Sequence, residues 1–381
     1  MLNSSAMKEI SYQLTLEITN HTDQFAGEPL FIAGNFNGWR PDDYSPGLVP
    51  AAGRKEQYVL KDLQQSRVEF RISRGSWSTL TAGIDGTLEP PVAVDPGKDT
   101  SVSVEIRAWR DMFPASTASP QVQVMDEVFF LPESGLYKKI WLYLPADYHT
   151  GNRHYPVLYM HDGQHLFDEA TSTGRTGPVE WMVDETVDAS PYDAIVVAVE
   201  SAAVAHERKQ EYLLNPDEVY QQPLGRAYLS DMVSVLKPFV DTHYRTLPDA
   251  PHTAMAGSSL GGLLTLYAGL LYPEVFGSLG VLSPSIWMDD HPKLFKALAD
   301  RLQKQGNKQN FYLYGGKLEN RGGPDARETG MTENILLFSS RLANDHRFEV
   351  KTDINPVGRH GALYWQKAFP VFYEWWQQTL I

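Results

Sequence analysis

The sequence predicts an α/β protein whose mostly parallel central sheet is preceded by a small all-β sandwich domain. Between residues 10 and 109, short runs of alternating polar and apolar residues are separated by turn-forming Asn, Gly and Pro, with no competing helical period. From Val122 onward, apolar strand-like runs alternate with segments of helical spacing. We therefore expect a sandwich domain over residues 1–112, a linker over 113–121 and an α/β domain over 122–381.

The elements of the first domain follow from alternation, and the linker follows from composition. The predicted strands are Tyr12–Ile18, Leu30–Ala33, Arg67–Ile72 and Ser101–Ile106. The linker, 113–121, is small, polar and contains Pro, as expected of a segment between compact domains.

In the second domain, strands and helices alternate along the chain. The predicted strands are Ile140–Leu144, Pro156–Met160, Ala194–Val199, His252–Ala256, Leu279–Leu282, Asn310–Tyr314 and Arg347–Ile354. The predicted helices are Tyr228–Tyr244, Leu260–Tyr272 and Glu328–Asn344. Such alternation predicts a mostly parallel sheet that is covered by helices on both faces.

The segment Gly257-Ser258-Ser259-Leu260-Gly261 lies between a predicted strand and a predicted helix. In that context the G-x-S-x-G pattern indicates a nucleophile elbow, a tight turn that exposes the Ser259 hydroxyl. The amide of Leu260, at the start of the helix, would then face the oxygen that becomes negative during attack. The alternative is a plain glycine-rich turn, because the pattern alone also occurs by chance.

A serine nucleophile needs a base and an acid that orients it, and in hydrolases of this kind they follow the serine in the order acid, histidine. His360 lies in the loop after the last predicted strand, and Glu319 lies just beyond the strand that ends at Gly316. Asp325 is a second candidate acid in the same loop. We expect Ser259, His360 and one of these two carboxylates to form a triad.

Composition restricts the possible functions. The 381-residue chain has a net charge of −14 and a pI near 5.2, which disfavours nucleic acid and anionic membranes as partners. It contains no cysteine, which excludes disulfides, thiolate metal sites and a cysteine nucleophile. No metal-binding or nucleotide-binding motif occurs, so we expect neither a metal nor another cofactor. Residues 1–10 have no apolar signal region, so we expect a cytoplasmic protein; a periplasmic one is possible if the sequence has been trimmed.

Residues 122–375 resemble the Putative esterase family of α/β-hydrolases, which includes esterase D, feruloyl esterases and enterochelin esterases. The matching stretches are Tyr155–Gln164, Arg208–Tyr212, Ala256–Leu263, Ser283–Trp287, and His360 with Trp365. The resemblance implies that Ser259 is the nucleophile, His360 the base and Glu319 the acid. It also implies that the loop Asp162-Gly163-Gln164 supplies the second oxyanion amide, from Gly163 or Gln164.

Three further residues are candidates for binding substrate: Asp162, Arg208 and Trp287. Arg208 has an equal alternative, an ion pair that fixes a loop. Trp287 is expected either to line the acyl or alcohol pocket or to pack in the core.

The N-terminal domain resembles glycogen-binding, family 48-like modules of Ig type, through Phe31–Trp39 and Phe70–Trp77. The resemblance implies a sugar platform formed by Trp39 and Trp77, with Arg71 in place of a lysine. The alternative is that both tryptophans are packing residues, which would make the domain an accessory without sugar binding.

These observations predict a serine carboxylesterase that acts through a Ser-His-Glu triad and an acyl-enzyme. The expected substrate is a small-molecule or carbohydrate ester, such as an acylated carbohydrate or a feruloyl-type ester. The alternatives are a siderophore esterase of the enterochelin type and a catalytically inactive carbohydrate-binding scaffold.

Overall fold

The computed structural model describes residues 11–174, 176–288, 291–304, 306–319 and 330–381. The chain forms two compact units. The first comprises the chain up to Thr117 together with Thr173–Val179, and the second comprises Ala118–Ser172 and Glu180–Ile381. The first division lies inside the predicted linker. The assignment of residues 173–179 differs from the prediction, because the backbone of Gly177 packs closely against the ring of Trp77.

The first unit is built from short strands. They are β1 (Tyr12–Asn20), β2 (Pro29–Gly34), β3 (Gly47–Leu48), β4 (Lys55–Leu63), β5 (Val68–Ser73), β6 (Thr81–Ala82), β7 (Val92–Val94), β8 (Ser101–Ile106) and β9 (Ala108–Trp109). They form sheets in the orders β4-β1-β8, β3-β2-β5-β7 and β6-β9. Alternate residues of β1 and β5 are buried in one hydrophobic core, which explains the period-two pattern of the sequence.

The second unit contains one eight-stranded sheet among the described residues. Its strands are β10 (Val122–Leu131), β11 (Leu136–Tyr143), β12 (Val157–His161), β13 (Ile195–Val199), β14 (Thr253–Ser258), β15 (Ser278–Leu282), β16 (Gln309–Gly316) and β17 (Phe348–Asn355). The order is β10-β11-β13-β12-β14-β15-β16-β17. The six strands β13, β12, β14, β15, β16 and β17 run parallel to one another. At one edge, β11 pairs antiparallel with β13, and β10 pairs antiparallel with β11.

Helices cover both faces of this sheet, where two separate hydrophobic clusters are buried. They are α1 (Val183–Ala189), α2 (Ala205–Tyr212), α3 (Gly225–Asp231), α4 (Lys237–His243), α5 (Leu260–Leu271), α6 (His291–Gln303), α7 (Met331–Ala343) and α8 (Ala362–Gln378). The central strands are buried throughout, as a covered parallel sheet requires. The carboxyl ends of the parallel strands share one edge, so the loops that follow them can meet there.

The predicted single helix Tyr228–Tyr244 is interrupted. A π-helical turn, Met232–Leu236, joins α3 to α4, and Pro238 lies at the start of α4. Proline has no amide hydrogen to donate to the carbonyl four residues earlier, which explains the wider turn before it. Among the described residues, no helix is both long enough and apolar enough to cross a membrane.

Candidate active site

The turn between β14 and α5 has the geometry of a nucleophile elbow. Ser259 has φ 57° and ψ −117°, a backbone conformation that residues other than glycine rarely adopt, and α5 begins at the next residue. Gly257 is required there, because a Cβ at this position would lie 2.8 Å from the carbonyl group of Gly261 and from the ring of His161. The strain is concentrated at the residue whose hydroxyl the sequence predicts to react.

The structure brings Ser259, His360 and Glu319 together in one hydrogen-bonded chain. The Ser259 Oγ lies 3.0 Å from Nε2 of His360, and Nδ1 of His360 lies 3.3 Å from Oε2 of Glu319. Ser259 follows β14, Glu319 follows β16 and His360 follows β17, so three strands of the parallel part of the sheet deliver all three side chains to one edge. Asp325, the other candidate acid, lies outside the described residues.

Glu319 is buried, and its carboxylate has several donors. Its Oε1 accepts hydrogen bonds from the Ser283 hydroxyl at 2.6 Å and from the amide of Gly316 at 2.7 Å. Its Oε2 remains available to His360, whose side chain is 12% exposed. Three donors around one carboxylate leave it a single orientation, which is what the imidazole needs.

Three residues to which the sequence gives no role, Ser283, Ser285 and Trp365, also contact the triad. The hydroxyl of Ser285 lies 3.0 Å from the Ser259 hydroxyl. Trp365 packs edge-on against His360, with ring centroids 5.0 Å apart, and its Nε1 donates to the Ser283 hydroxyl at 2.9 Å. The sequence signal for the two serines is the Ser-Pro-Ser tripeptide directly after a predicted strand, and that for Trp365 is its position five residues after His360. Spacing alone does not reveal what each side chain touches.

The backbone amides predicted to bind an oxyanion lie at the starts of two helical segments. Leu260 is the first residue of α5, and Gly163 and Gln164 are the first residues of a 3₁₀ turn. Such amides have no acceptor within their own helix, so they are available to a ligand. A Cβ at Gly163 would lie 2.9 Å from the carbonyl carbon of Ala198, which restricts this position to glycine. The Gln164 side chain is bonded to Ser201, so only its main chain is free to act.

Asp162 and Arg208 form an ion pair with each other. Arg208 donates from Nε at 2.5 Å and from its terminal nitrogen at 2.7 Å to the two carboxylate oxygens. Both residues are largely buried. Of the two roles considered for Arg208, the structure therefore favours the ion pair that fixes a loop, and the Asp162 carboxylate is occupied in the same way.

The pKa of Asp162 reflects this pair. Burial raises the pKa, but the charge of Arg208 and its hydrogen bonds outweigh burial, so that the pKa falls to about 2. The Asp162 backbone has φ 60° and its amide faces the Tyr212 hydroxyl at 3.3 Å. One helix, α2, thus contacts the residue before Gly163 through both Arg208 and Tyr212.

His161 lies beneath the elbow and is fully buried. Its Nδ1 is 3.2 Å from the Tyr228 hydroxyl, and its ring packs beside Gly257 and Gly261. Burial lowers its pKa to about 4, against a smaller opposing effect of Asp162. His161 is therefore neutral under ordinary conditions and serves packing rather than charge.

Trp287 lies on the turn that follows Ser285, and the residue is 43% exposed. This exposure does not fit packing in the core. The indole is accessible near the carboxyl end of β15, where Ser285 contacts Ser259. Its role in binding substrate stays a prediction.

In the first unit, the residues of the predicted sugar platform are not open. Trp39 and Arg71 are buried, and Trp77 is partly buried with Gly177 against its ring. A sugar needs an exposed aromatic face on which to stack. These contacts favour the alternative that both tryptophans are packing residues.

Among the described residues, one cluster of three carboxylates could approach a cation: Glu180, Asp184 and Glu185, with oxygens within 4.8 Å of one another. Burial raises the pKa of Asp184 and raises that of Glu185 to about 9. Protons can therefore neutralise this cluster, and we assign it no metal.

The comparisons with known proteins identify the family of the chain. The family model described as Putative esterase matches residues 136–375. The chain belongs to this family. The protein YbbA of Bacillus subtilis is 24% identical over 239 residues, which cover 58% of this chain and 91% of YbbA. The endo-1,4-beta-xylanase/feruloyl esterase of Xylanibacter ruminicola is 25% identical over 195 residues, 49% of this chain and 25% of that enzyme.

Solved structures of esterases share the fold. The enterobactin esterase FES from Shigella flexneri matches 97% of this chain and 94% of its own, with a TM-score of 0.52 at 17% identity. The siderophore hydrolase EstB from Aspergillus nidulans matches 68% of this chain and 96% of its own, with a TM-score of 0.53 at 20% identity. The family member described here is thus an esterase with the α/β-hydrolase type of central sheet.

Proposed function

We propose that this esterase is a serine carboxylesterase with a Ser259–His360–Glu319 triad. The observation that supports it most is the continuous hydrogen-bonded chain from Ser259 Oγ through both nitrogens of His360 to the buried Glu319 carboxylate. An inactive carbohydrate-binding scaffold would have no need for this chain, or for a strained serine at the end of β14.

In the proposed reaction, Ser259 Oγ attacks the ester carbonyl while Nε2 of His360 takes the hydroxyl proton. The amides of Leu260 and of Gly163 or Gln164 donate to the developing oxyanion. His360 then gives the proton to the departing alcohol, which leaves an acyl-enzyme. Water, deprotonated by His360, releases the acid and restores Ser259. Glu319 holds the imidazole in orientation throughout.

The proposed substrate is a small-molecule carboxylic ester, such as a feruloyl-type ester or an acylated carbohydrate, with Trp287 contacting its acyl or alcohol group. A siderophore ester is the second candidate, because the similarity to the enterobactin esterase extends over nearly the whole chain. We propose that the first unit is an Ig-like accessory domain. A cytoplasmic location stays a prediction.

Hydrolysis of p-nitrophenyl acetate tests the proposal. Ser259→Ala should reduce turnover by about 10⁴-fold or more, since loss of a triad member has effects of this size. Ser258→Ala is the matched control, because Ser258 is the buried neighbour on β14 and should retain activity. An organophosphate should label Ser259 alone. Substantial hydrolysis by Ser259→Ala would reject the triad.

A further inference from the structure

Two serines on either side of Pro284 contact the two ends of the triad. Ser283 Oγ lies 2.6 Å from the Glu319 carboxylate, and Ser285 Oγ lies 3.0 Å from the Ser259 Oγ. Both serines are buried. One tripeptide therefore touches the acid and the nucleophile at once, while His360 lies between them.

The directions of these hydrogen bonds follow from counting protons. The indole Nε1 of Trp365 can only donate, so Ser283 Oγ accepts from it and gives its own proton to Glu319. For His360 to act as a base, the Ser259 proton must point to Nε2. The remaining contact must then be donated by Ser285 to Ser259 Oγ.

The backbone fixes the tripeptide beside the elbow. The amide of Ser285 donates to the Ser259 carbonyl at 2.9 Å, and the amide of Ser259 donates to the Leu282 carbonyl at 3.0 Å. Ser283 is held at φ 46°, and its amide donates to the Tyr314 carbonyl at 2.7 Å. Such a backbone conformation in a residue other than glycine persists only where its surroundings enforce it.

We propose that Ser285 is a catalytic hydroxyl that donates to the reacting oxygen of Ser259, and that Ser283 is a positioning residue that acts through Glu319. This inference rests on the proposed esterase function. The Ser285 hydrogen bond holds Ser259 in the rotamer that faces His360.

The hydrogen bond from Ser285 is strongest when Ser259 Oγ carries negative charge, because bonds to charged acceptors are stronger. This occurs when the acyl-enzyme breaks down: water has attacked, the bond from the acyl carbon to Ser259 Oγ breaks, and its electron pair goes to Oγ. His360 returns a proton to that oxygen. Ser285 thus favours both the attack and the departure of Ser259.

The two serines predict different kinetic signatures. With p-nitrophenyl acetate, Ser285→Ala should slow both acylation and deacylation by about tenfold, the usual effect of one oriented hydrogen bond. The position of its pH–rate profile should not change. Ser283→Ala removes one of the donors that compete with His360 for the Glu319 carboxylate. The carboxylate should then bind the protonated imidazole more strongly, so the rising limb of the profile should move to higher pH.

Stopped-flow bursts measure the acylation and deacylation rates, and organophosphate labelling measures the reactivity of Ser259. Both rates are divided by the concentration of titrated active sites, so they do not depend on the fraction of protein that is folded. Ser278→Ala is the matched control, because Ser278 is a buried serine at the start of β15, the strand that precedes both serines, and its side chain bonds only to Asn310 in the hydrogen bonds described. It should leave rates and profile unchanged. If Ser285→Ala does not fold, Ser285→Cys takes its place. Because a thiol is a weaker donor than a hydroxyl, this variant should have rates between the wild-type rates and about one-tenth of the wild-type rates.

Wild-type rates in Ser285→Ala, or an unmoved profile in Ser283→Ala, would overturn the corresponding role. A loss of rate in Ser283→Ala as large as that in Ser285→Ala, without any change of profile, would overturn the positioning role of Ser283, since a merely structural tripeptide predicts that result. Failure of the esterase function itself is distinguishable, because Ser259→Ala would then hydrolyse the ester as well as the wild type does.

Discussion

Arg208 on α2 holds both carboxylate oxygens of Asp162, the residue directly before the predicted oxyanion amides. Asp162 has a positive φ, so its conformation depends on this external support. The ion pair therefore connects α2, which contains no triad residue, to the loop whose amides are predicted to bind the oxyanion.

The first prediction concerns this link. Arg208→Lys should lower kcat at least tenfold with little change in fold, because an ammonium cannot bond both oxygens in the geometry of the guanidinium. Steady-state kinetics with p-nitrophenyl acetate measure the effect. Arg153→Lys, at a solvent-exposed arginine that pairs with Asp147 and Asp193, is the control and should be neutral. Full activity of Arg208→Lys would show that the Asp162–Arg208 ion pair does not contribute to catalysis.

The second prediction concerns the acid. Glu319→Gln should lower kcat by about 10³-fold or more, because the amide cannot stabilise the imidazolium and favours the wrong tautomer. Asp325→Asn is the comparison and should have a small effect. The reverse ranking, measured under identical conditions, would transfer the role to Asp325.

A third prediction concerns the elbow itself. Gly257→Ala should destabilise the protein by about 2 kcal/mol or more and abolish activity, because the new methyl group meets main-chain atoms that cannot move away. Thermal unfolding and ester hydrolysis measure both effects. Gly97→Ala is the control, since its nearest neighbour is a flexible carboxylate at 3.3 Å. Similar melting temperatures for the two variants would contradict the close packing.

A fourth prediction concerns stability in acid. The pKa of His161 is about 4 in the folded protein and about 6.5 for an unperturbed histidine, so below pH 6.5 the unfolded chain binds a proton that the folded chain does not. Stability should therefore fall as the pH drops from 6.5 to 4, by on the order of 3 kcal/mol from this residue.

His161→Asn should flatten that part of the pH dependence, as measured by denaturant unfolding at several pH values. The buried Asp162–Arg208 pair faces the same ring and remains in the variant. His346→Asn is the control, because the His346 side chain is 93% exposed. An unchanged pH dependence in His161→Asn would show that His161 is not the group that titrates.

Local sequence patterns predicted the alternating elements and the order in which Ser259, Glu319 and His360 follow their strands. They missed β4, whose charged residues conceal the buried Tyr58 and Leu60, and they missed α8, which contains Pro370 and few polar residues to mark a face. The Ser285 contact was beyond prediction for a different reason: it depends on how the loop after β15 passes beside the elbow, and no spacing in the chain encodes that approach.

The grouping of Thr173–Val179 with the first unit means that the chain passes between its two units three times. A protein with a single linker can lose or exchange a domain by one cut. Here a chain that began at Ala118 would still include Gly177 without the Trp77 ring on which it packs. Gly177 therefore keeps its contact with the Trp77 ring only when both units are present. In evolutionary terms, the N-terminal unit and this insertion are expected to be gained or lost together.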